Sequence, residues 1–458
     1  MGRLQAIYDK MPICIQNLMT SVSGYQKCRQ RYGKAYYERR QFLKTFDELS
    51  LEEKLNYQRE KLWEFIRFTK KNSTFYQKLY KDINIDELST IEDLKKLPIV
   101  DKEMLRANIE EVYTIPKNLA VESHTGGTTG KSLTVRGIKE DMMYRMATLD
   151  HFKARFGFEN RKMKRATFNG KHIVPPGQKK KVFWRYNRAC KQMIYSSFHI
   201  TEENLSAYVK SLNSFKPAAI DGFFTSMCDV ASFIERNNIK LAFKPIAIFP
   251  TSETVTESGR ELLTRVFGCE VYDQYASSEG APFITECVEH RLHTELSTGV
   301  FEHFTDGSDE VLVTSFVTRG TPLIRYKIGD CVAFSNNTEI CKCGRHDTYI
   351  TGIQGRRLDY LYTADGAKIN AGNVSNIFKN LPNVIIRSQA IQKKLGEITI
   401  LLEVDKKLYK PKYDEIIRDE FKHKFGNDTE IILRHVDCIP REKSGKFKFI
   451  VNEVNTNN

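Results

Sequence analysis

The chain has 458 residues, 41% of them apolar, and a formal charge of +14 from 71 Lys and Arg against 57 Asp and Glu. That length and composition describe a globular protein with a large core and more than one domain, and no internal repeat or low-complexity tract stands out. No apolar run reaches 18 residues and Met1-Gly2-Arg3 opens no apolar export segment, so neither a membrane span nor a signal peptide is expected, and the protein is expected in the cytoplasm.

The first hundred residues read as a helical shoulder. Ser50-Leu51-Glu52-Glu53 is a capping box ahead of Leu55, Leu62, Phe65 and Ile66, and Thr90-Ile91-Glu92-Asp93 repeats the signal. Before them, Tyr25 to Arg40 mixes Tyr32, Tyr36 and Tyr37 with Lys27, Arg29, Arg31, Lys34, Arg39 and Arg40. It reads as an amphipathic helix packed on the main body, with peripheral membrane contact through residues 1–45 as the alternative. From about 120 to 330, short apolar runs such as Pro245 to Phe249 alternate with helical patterns such as Thr201 to Leu212, the pattern of an α/β domain. Within it, residues 161–191 hold eleven Lys and Arg around Pro175-Pro176-Gly177. A solvated basic face is the plain reading. The functional one is a polyanionic partner: a nucleotide, coenzyme A, an acidic glycan, nucleic acid or an anionic membrane. No zinc-finger, OB or RRM signature accompanies the charge, so a specific nucleic-acid partner is not expected. Beyond 355 the pattern becomes strand (Ile398 to Val404), helix (Tyr413 to Phe425, stopped by Gly426) and strand (Glu430 to His435), a small α+β unit. The expected domains are therefore 1–355 and 356–458.

The chain centres on Ser123-His124-Thr125-Gly126-Gly127-Thr128-Thr129-Gly130-Lys131-Ser132. Glycines let successive N–H groups converge on an anion, hydroxyls add donors and the lysine adds a point charge, so the loop is expected to hold a nucleotide triphosphate. It is not a P-loop, because Thr125 occupies the position of the required first glycine, and Leu133-Thr134-Val135 alternates like a strand. The loop is expected at the tip of a hairpin. Four further stretches follow: Pro250-Thr251-Ser252-Glu253, Tyr272 to Glu279, Leu323 to Asp330, and Pro440 to Lys446 with its Ser444-Gly445 turn.

These five stretches in this order resemble the adenylate-forming (AMP-binding) superfamily, in its phenylacetate–coenzyme A ligase branch, and Tyr8 to Gly33 looks further like that branch's capsular-polysaccharide biosynthesis members. The resemblance implies a large N-terminal domain of sheets and helices with a small mobile C-terminal α+β domain. It implies that Thr125, Gly126, Gly127, Thr128, Thr129, Gly130 and Lys131 cover the phosphates of ATP, that Ser252 and Glu253 meet adenine, and that Tyr275 stacks on it beside Ser278. Glu279 would hold Mg²⁺, Asp330 the ribose hydroxyls with Arg356 nearby, and Lys446 would bridge the reacting carboxylate and the α-phosphate. A cation between two approaching anions offsets their repulsion, which supports Lys446 on physical grounds too. Two positions depart from the pattern. Ala276 follows the tyrosine in place of glycine, and Leu358 stands at the hinge, where Asp or Lys is usual.

Ten cysteines in a chain of this size read as reduced thiols or metal ligands. Cys287 and His293 with Cys341 and Cys343 form an expected tetrahedral zinc set, with His290, His346 and Cys331 in reserve. Some members of the branch carry the same pattern and a structural zinc. The expected function is activation of a small-molecule carboxylic acid as its acyl-adenylate, followed by transfer to a thiol or amine. Coenzyme A is the default acceptor, an amine in surface-polysaccharide synthesis its rival, and AMP transfer to a small molecule a third reading. Phe198, His199, Phe223 and Phe224 are candidates for the acid pocket or for core.

Overall fold

The computed structural model describes residues 3–124, 133–304, 310–335, 340–356, 360–370, 374, 376–378, 381, 384–442 and 444–454. The chain divides into two compact units, one of Met1–Gly24, Asn160–Val271 and Gln354–Asn458, the other of Tyr25–Glu159 and Tyr272–Ile353. The mixed α/β architecture expected from the sequence holds in both.

The first unit is built on a six-stranded sheet in the order Trp184–Asn187, Gln192–Ser196, Arg165–Asn169, Ala219–Gly222, Ala247–Pro250 and Glu270–Val271. Only its first pair is antiparallel. Ala219–Gly222 and Ala247–Pro250 are buried at every position, as short unbroken apolar runs require in a sheet covered on both faces. Helices Glu202–Phe215, Phe224–Arg236 and Glu257–Phe267 supply Leu205, Tyr208, Met227 and Leu263 to its core. Because the chain lays down strands on one side of Arg165–Asn169 and then on the other, the sheet has a topological switch point beside that strand.

The C-terminal stretch of this unit forms a four-stranded sheet, Glu430–His435, Glu397–Val404, Ile385–Lys394 and Ile450–Asn452, covered by helix Lys412–Phe425. Ile417, Phe421 and Phe425, spaced by four residues, pack on Ile398, Ile400 and Leu402. The helix ends at Gly426, and the following strand spans the expected Glu430 to His435.

The second unit carries a seven-stranded, largely antiparallel sheet running from Gly299–His303 through Glu310–Ser315, Tyr326–Phe334, Tyr349–Arg356, Leu292–Thr294 and Ile284–Glu286 to Gln274–Tyr275. Helix Leu51–Asn72 lies on it behind the expected capping box, in which Ser50 and Glu53 satisfy each other's backbone N–H. Thr90 and Asp93 exchange the same pair of bonds. Leu62, Phe65 and Ile66 enter the core, but Leu55 stays 37% exposed, because at that end of the helix the inward positions are taken by Lys54, paired with Asp347, and Gln58, which donates to the Gly299 carbonyl. The aromatic and basic stretch after Tyr25 is partly turned inward. Tyr36 donates to Asp150 at 2.9 Å, and Arg39 donates to the Ser297 carbonyl and hydroxyl at 2.8 Å.

A chain of alternating charges runs through this unit. Arg155 binds Asp47 at 2.6 Å and Glu295 at 2.7 Å; Arg345 binds Glu295 at 3.2 Å and Asp347 at 3.1 Å; Lys54 closes on Asp347 at 3.1 Å. Burial opposes ionisation of Asp47 and Glu295, yet their hydrogen-bonded and charged partners hold both carboxyls below the usual carboxylate range. Depressed folded-state values mean that this stabilisation is complete above about pH 5 and is lost as the pH falls further. Arg155→Ala, which leaves both acids short of a donor, is expected to lower stability by about 3–5 kcal/mol at neutral pH and to flatten the acid limb of the pH–stability curve. Urea unfolding between pH 3 and 7 checks both effects, and a variant as stable as the parent would remove this network from any account of the fold.

Candidate active site and metal centre

The carboxyl ends of four parallel strands meet at one place in the first unit. Arg165–Asn169 ends at Gly170, Gln192–Ser196 at Ser197, Ala219–Gly222 at Phe223, and Ala247–Pro250 leads into Thr251-Ser252-Glu253. The turn Ser444-Gly445-Lys446 lands on these ends. A Cβ at Gly170 would fall 1.7 Å from the Ser444 carbonyl oxygen, and one at Gly445 would fall 2.7 Å from the Ser197 hydroxyl and 3.1 Å from the Phe198 ring, so the approach needs glycine on both sides. The Phe447 N–H donates to Glu253 at 3.1 Å, tying Lys446 to the Ser252-Glu253 stretch across 194 residues of sequence.

Glu253 is braced from the other side as well. Thr225 donates its N–H at 2.8 Å and its hydroxyl at about 3.0 Å to the same carboxylate, and Arg441 donates to the Thr225 hydroxyl at 3.2 Å. Burial raises the carboxyl above its ordinary value against the pull of these donors. Ser252, before it, has φ of 68°, a left-handed backbone in a non-glycine residue, which marks a turn held by its surroundings. Asp229, one turn further along the Phe224–Arg236 helix, receives Arg387 at 2.8 Å and Arg441 at 2.6 Å. Lys446 is half-buried, and its ammonium has no partner among the described residues.

In the second unit, the Tyr275 hydroxyl donates to Asp330 at 2.6 Å, joining two of the expected nucleotide-binding stretches. The turn after Tyr275 is clamped: Arg145 donates to the Gly280 and Ala281 carbonyls at 2.8 Å, and the Ser277 hydroxyl accepts from the N–H groups of the same two residues. Gly280, at φ +107°, admits no side chain, since a Cβ would lie 2.3 Å from Thr318. Ser278 is exposed and Glu279 buried. The hairpin expected around the glycine loop is present, with Val121–His124 paired antiparallel to Thr134–Gly137. Thr125, Gly126, Gly127, Thr128, Thr129, Gly130 and Lys131 themselves lie outside the described residues, as do Leu358 and the side chain of Arg356.

The sulfur and ring-nitrogen atoms of Cys287, His293, Cys341 and Cys343 all lie within 4.8 Å of one another. Cys287 and Cys341 sulfurs are 3.8 Å apart, and Cys343 Sγ is 3.6 Å from His293 Nε2. These match the edges of a tetrahedron around an ion bound to sulfur at about 2.3 Å. His293 Nδ1 is 3.0 Å from the Asp347 carbonyl. A carbonyl only accepts, so Nδ1 carries the hydrogen and Nε2 is left bare towards the thiols. Burial pushes the His293 pKa down to about 4, so the ring is neutral, as a ligand must be. The reserve candidates stand elsewhere: His290 bonds Glu286 at 3.1 Å, and Cys331 is buried in the Tyr326–Phe334 strand.

Of the four acid-pocket candidates, Phe198 stands at the Gly445 turn, whereas Phe224 belongs to the core and Phe223 is buried. His199 bonds Ser196 at 2.9 Å and the Pro175 carbonyl at 3.1 Å. Thr225, Asp229 and Arg387 were not legible in the sequence as site residues. Arg441 lies inside a stretch that was, and it is the residue that reaches both Thr225 and Asp229.

The family described as CapK C-terminal domain matches residues 361–453. Protein CapK of Staphylococcus aureus is 38% identical over 454 residues, which covers 98% of this chain and 100% of the relative. Among solved structures, 2-hydroxyisobutyryl-CoA ligase in the postadenylation state with R3-HIB-AMP has a TM-score of 0.68 at 15% identity, over 86% of this chain and 88% of the ligase. The same ligase with 2-HIB-AMP and CoA in the thioesterification state has a TM-score of 0.52 at 16% identity, over 88% and 90% of the two chains. On identity that extends along nearly its whole length, the chain belongs to the CapK family, and its fold is that of the adenylate-forming ligases.

Proposed function

We propose that the protein is an ATP-dependent ligase that activates a small-molecule carboxylic acid as its acyl-adenylate, releasing pyrophosphate, and passes the acyl group to a thiol or amine. The observation that carries this reading is the seating of the Ser444-Gly445-Lys446 turn on the carboxyl ends of the parallel strands at their switch point, beside Ser252 and Glu253. Ligands of open α/β sheets bind at that place. ATP would supply the adenylyl group, and Mg²⁺, which Glu279 would hold, the charge compensation; the glycine loop would hold the phosphates, and Asp330, which accepts from Tyr275, the ribose. Glu253, occupied by Thr225 and Phe447, holds the Lys446 turn against the Ser252 stretch, so any part it has towards adenine is through the shape it gives that stretch. Lys446 brings a positive charge to two anions that must approach each other, and the value of that charge grows as water is excluded. The domain division proposed is 1–355 and 356–458, supported by the match of the CapK C-terminal family to 361–453.

The relative's name supports a place in capsule or other surface-polysaccharide synthesis, and the CoA ligases that share the fold support coenzyme A as acceptor. Leu358 at the hinge position favours an amine over a thiol. A leucine that packs in one orientation of the small domain favours that state by about 1.5–3 kcal/mol, and so slows any step that needs the other. The reading places the protein in the cytoplasm; among the described residues no helix is long and apolar enough to cross a membrane.

Lys446→Ala is expected to lower adenylation by about a hundredfold or more, about 3 kcal/mol of transition-state stabilisation, with much less change in ATP affinity. Pyrophosphate release screened over aromatic, uronic and amino acids finds the substrate and then tests the variant; undiminished release would remove Lys446 from the chemistry. In single-turnover measurements the parent enzyme is expected to form acyl-adenylate readily and to consume it slowly with coenzyme A, with Leu358→Asp quickening the second step more than the first. Rapid thioester formation that Leu358→Asp leaves unaltered would remove the preference for an amine.

We propose that Cys287, His293, Cys341 and Cys343 hold one structural zinc. Metal analysis of protein purified without chelator is expected to give about one zinc per chain, and Cys341→Ser with Cys343→Ser to lose it together with thermal stability. Stoichiometric zinc retained by the double variant would place the metal elsewhere.

A further inference from the structure

Helix Ile13–Arg31 is inside out over its first three turns. The side chains it turns into the first unit are polar: Gln16, 1% exposed, accepts from the buried Arg185 guanidinium at 2.6 Å; Asn17 accepts from the Tyr186 N–H at 2.8 Å; Ser21 donates to the Tyr186 carbonyl at 3.2 Å and accepts from the Arg188 N–H at 3.1 Å. The apolar side chains face out. Ile15, Leu18 and Val22 recur at the three- and four-residue spacing of a single helical face, Leu18 being 60% exposed, and Ile7 and Met11, on the preceding helix and turn, are exposed as well. Single exposed apolar residues are ordinary, but three on one helical face, with two more exposed on the segment just before it and a polar seam opposite that fastens the helix down, form a surface built to be covered.

Its border is basic. Lys10 is exposed on the stripe's own segment. Gln5 donates to the His172 carbonyl, which sets exposed Lys171 beside one end, and the Ser21 bond sets exposed Arg188 beside the other. Asp9 is the sole acid in residues 3–24 and is bonded by Gln5 at 2.8 Å; residues 160–191 contain no acid at all. We propose that this stripe docks the protein on an anionic lipid bilayer, with Ile7, Met11, Ile15, Leu18 and Val22 entering the headgroup–acyl boundary and Lys10, Lys171 and Arg188 meeting the lipid phosphates. An amphipathic helix held flat, with an apolar face and cationic flanks, has the chemistry of that interface. A second copy is disfavoured by the same charges, because a two-fold interface would set this basic rim against itself with no acid to answer it. The inference is independent of the ligase reading.

The test uses the full chain with vesicles of phosphatidylglycerol and phosphatidylcholine, and of phosphatidylcholine alone, in co-sedimentation at 0.1 and 0.5 M salt. The parent is expected to sediment with the anionic vesicles, about tenfold or more over the neutral ones, and to be released by salt. The triple variant Ile15→Ser, Leu18→Ser, Val22→Ser is expected to lose about tenfold or more of that binding at an unchanged melting temperature, and Lys171→Glu with Arg188→Glu to lose the preference for anionic lipid. Leu18→Trp keeps the stripe apolar and is expected to add a blue-shifted emission component on anionic vesicles. Absence of vesicle binding by the parent, or an unshifted Leu18→Trp, overturns the proposal. So does sedimentation equilibrium showing a dimer that the triple serine variant dissolves, which assigns the stripe to a second copy.

Discussion

Asp229 is the residue on which the arrangement of the first unit turns. It accepts from Arg387 on a strand of the C-terminal sheet and from Arg441 just ahead of the Lys446 turn, and it sits on the helix that follows the strand at the switch point. One buried carboxylate between two guanidiniums is costly to desolvate, and such a group gains when both partners are held in place by further bonds. Here they are: Arg387 also donates to the Ile200 carbonyl at 3.1 Å, and Arg441 to Thr225 at 3.2 Å and to the Gly445 carbonyl at 3.3 Å. The consequence is positional. The same guanidinium that pairs with Asp229 donates to the Gly445 carbonyl, so the turn that carries the proposed catalytic cation is held in place by that ion pair.

Glu253 completes that arrangement from the sheet side. Its carboxylate is held between Thr225 and the Phe447 N–H, so the strand end carrying Ser252 and the turn carrying Lys446 are joined through a single acid. In the second unit a comparable economy links the Cys/His cluster proposed for zinc to the core. Arg345 donates its N–H to the Cys343 sulfur at 3.4 Å while its guanidinium joins the buried charge chain, and the Asp347 carbonyl fixes the His293 tautomer while its carboxylate receives Lys54. The Cys287, His293, Cys341 and Cys343 cluster and a chain of ion pairs thus share backbone, and loss of either would loosen the other.

The sequence was legible wherever the information is local. Apolar residues at four-residue spacing marked the helix that buries Ile417, Phe421 and Phe425, the run from Glu430 to His435 formed the strand expected of it, and the reciprocal bonds at Ser50–Glu53 and Thr90–Asp93 followed from residue types three apart. The alternation after the glycine loop gave a hairpin in place of the strand-to-helix turn of a P-loop. The order of the five motif stretches pointed to the fold, and the types and spacing of Cys287, His293, Cys341 and Cys343 pointed to one ligand set.

By itself, then, the sequence determined the kind and order of the elements, the chemistry available in each loop, and the fold, because period, capping and turn chemistry are written within a few residues of one another. Tertiary structure alone decided the partners. Asp229 meets Arg387 across 158 residues and Glu253 meets Phe447 across 194, and no local pattern distinguishes these acids from solvated ones. It decided orientation too: Leu55 belongs to an apolar stripe yet remains at the surface, and Ile15, Leu18 and Val22 form a helical face that periodicity marks as inward and the polar seam of Gln16, Asn17 and Ser21 turns outward. Periodicity fixes that a helix has two faces. Which of them is buried depends on what the rest of the chain brings against it, and here a buried arginine in need of acceptors drew the polar side in.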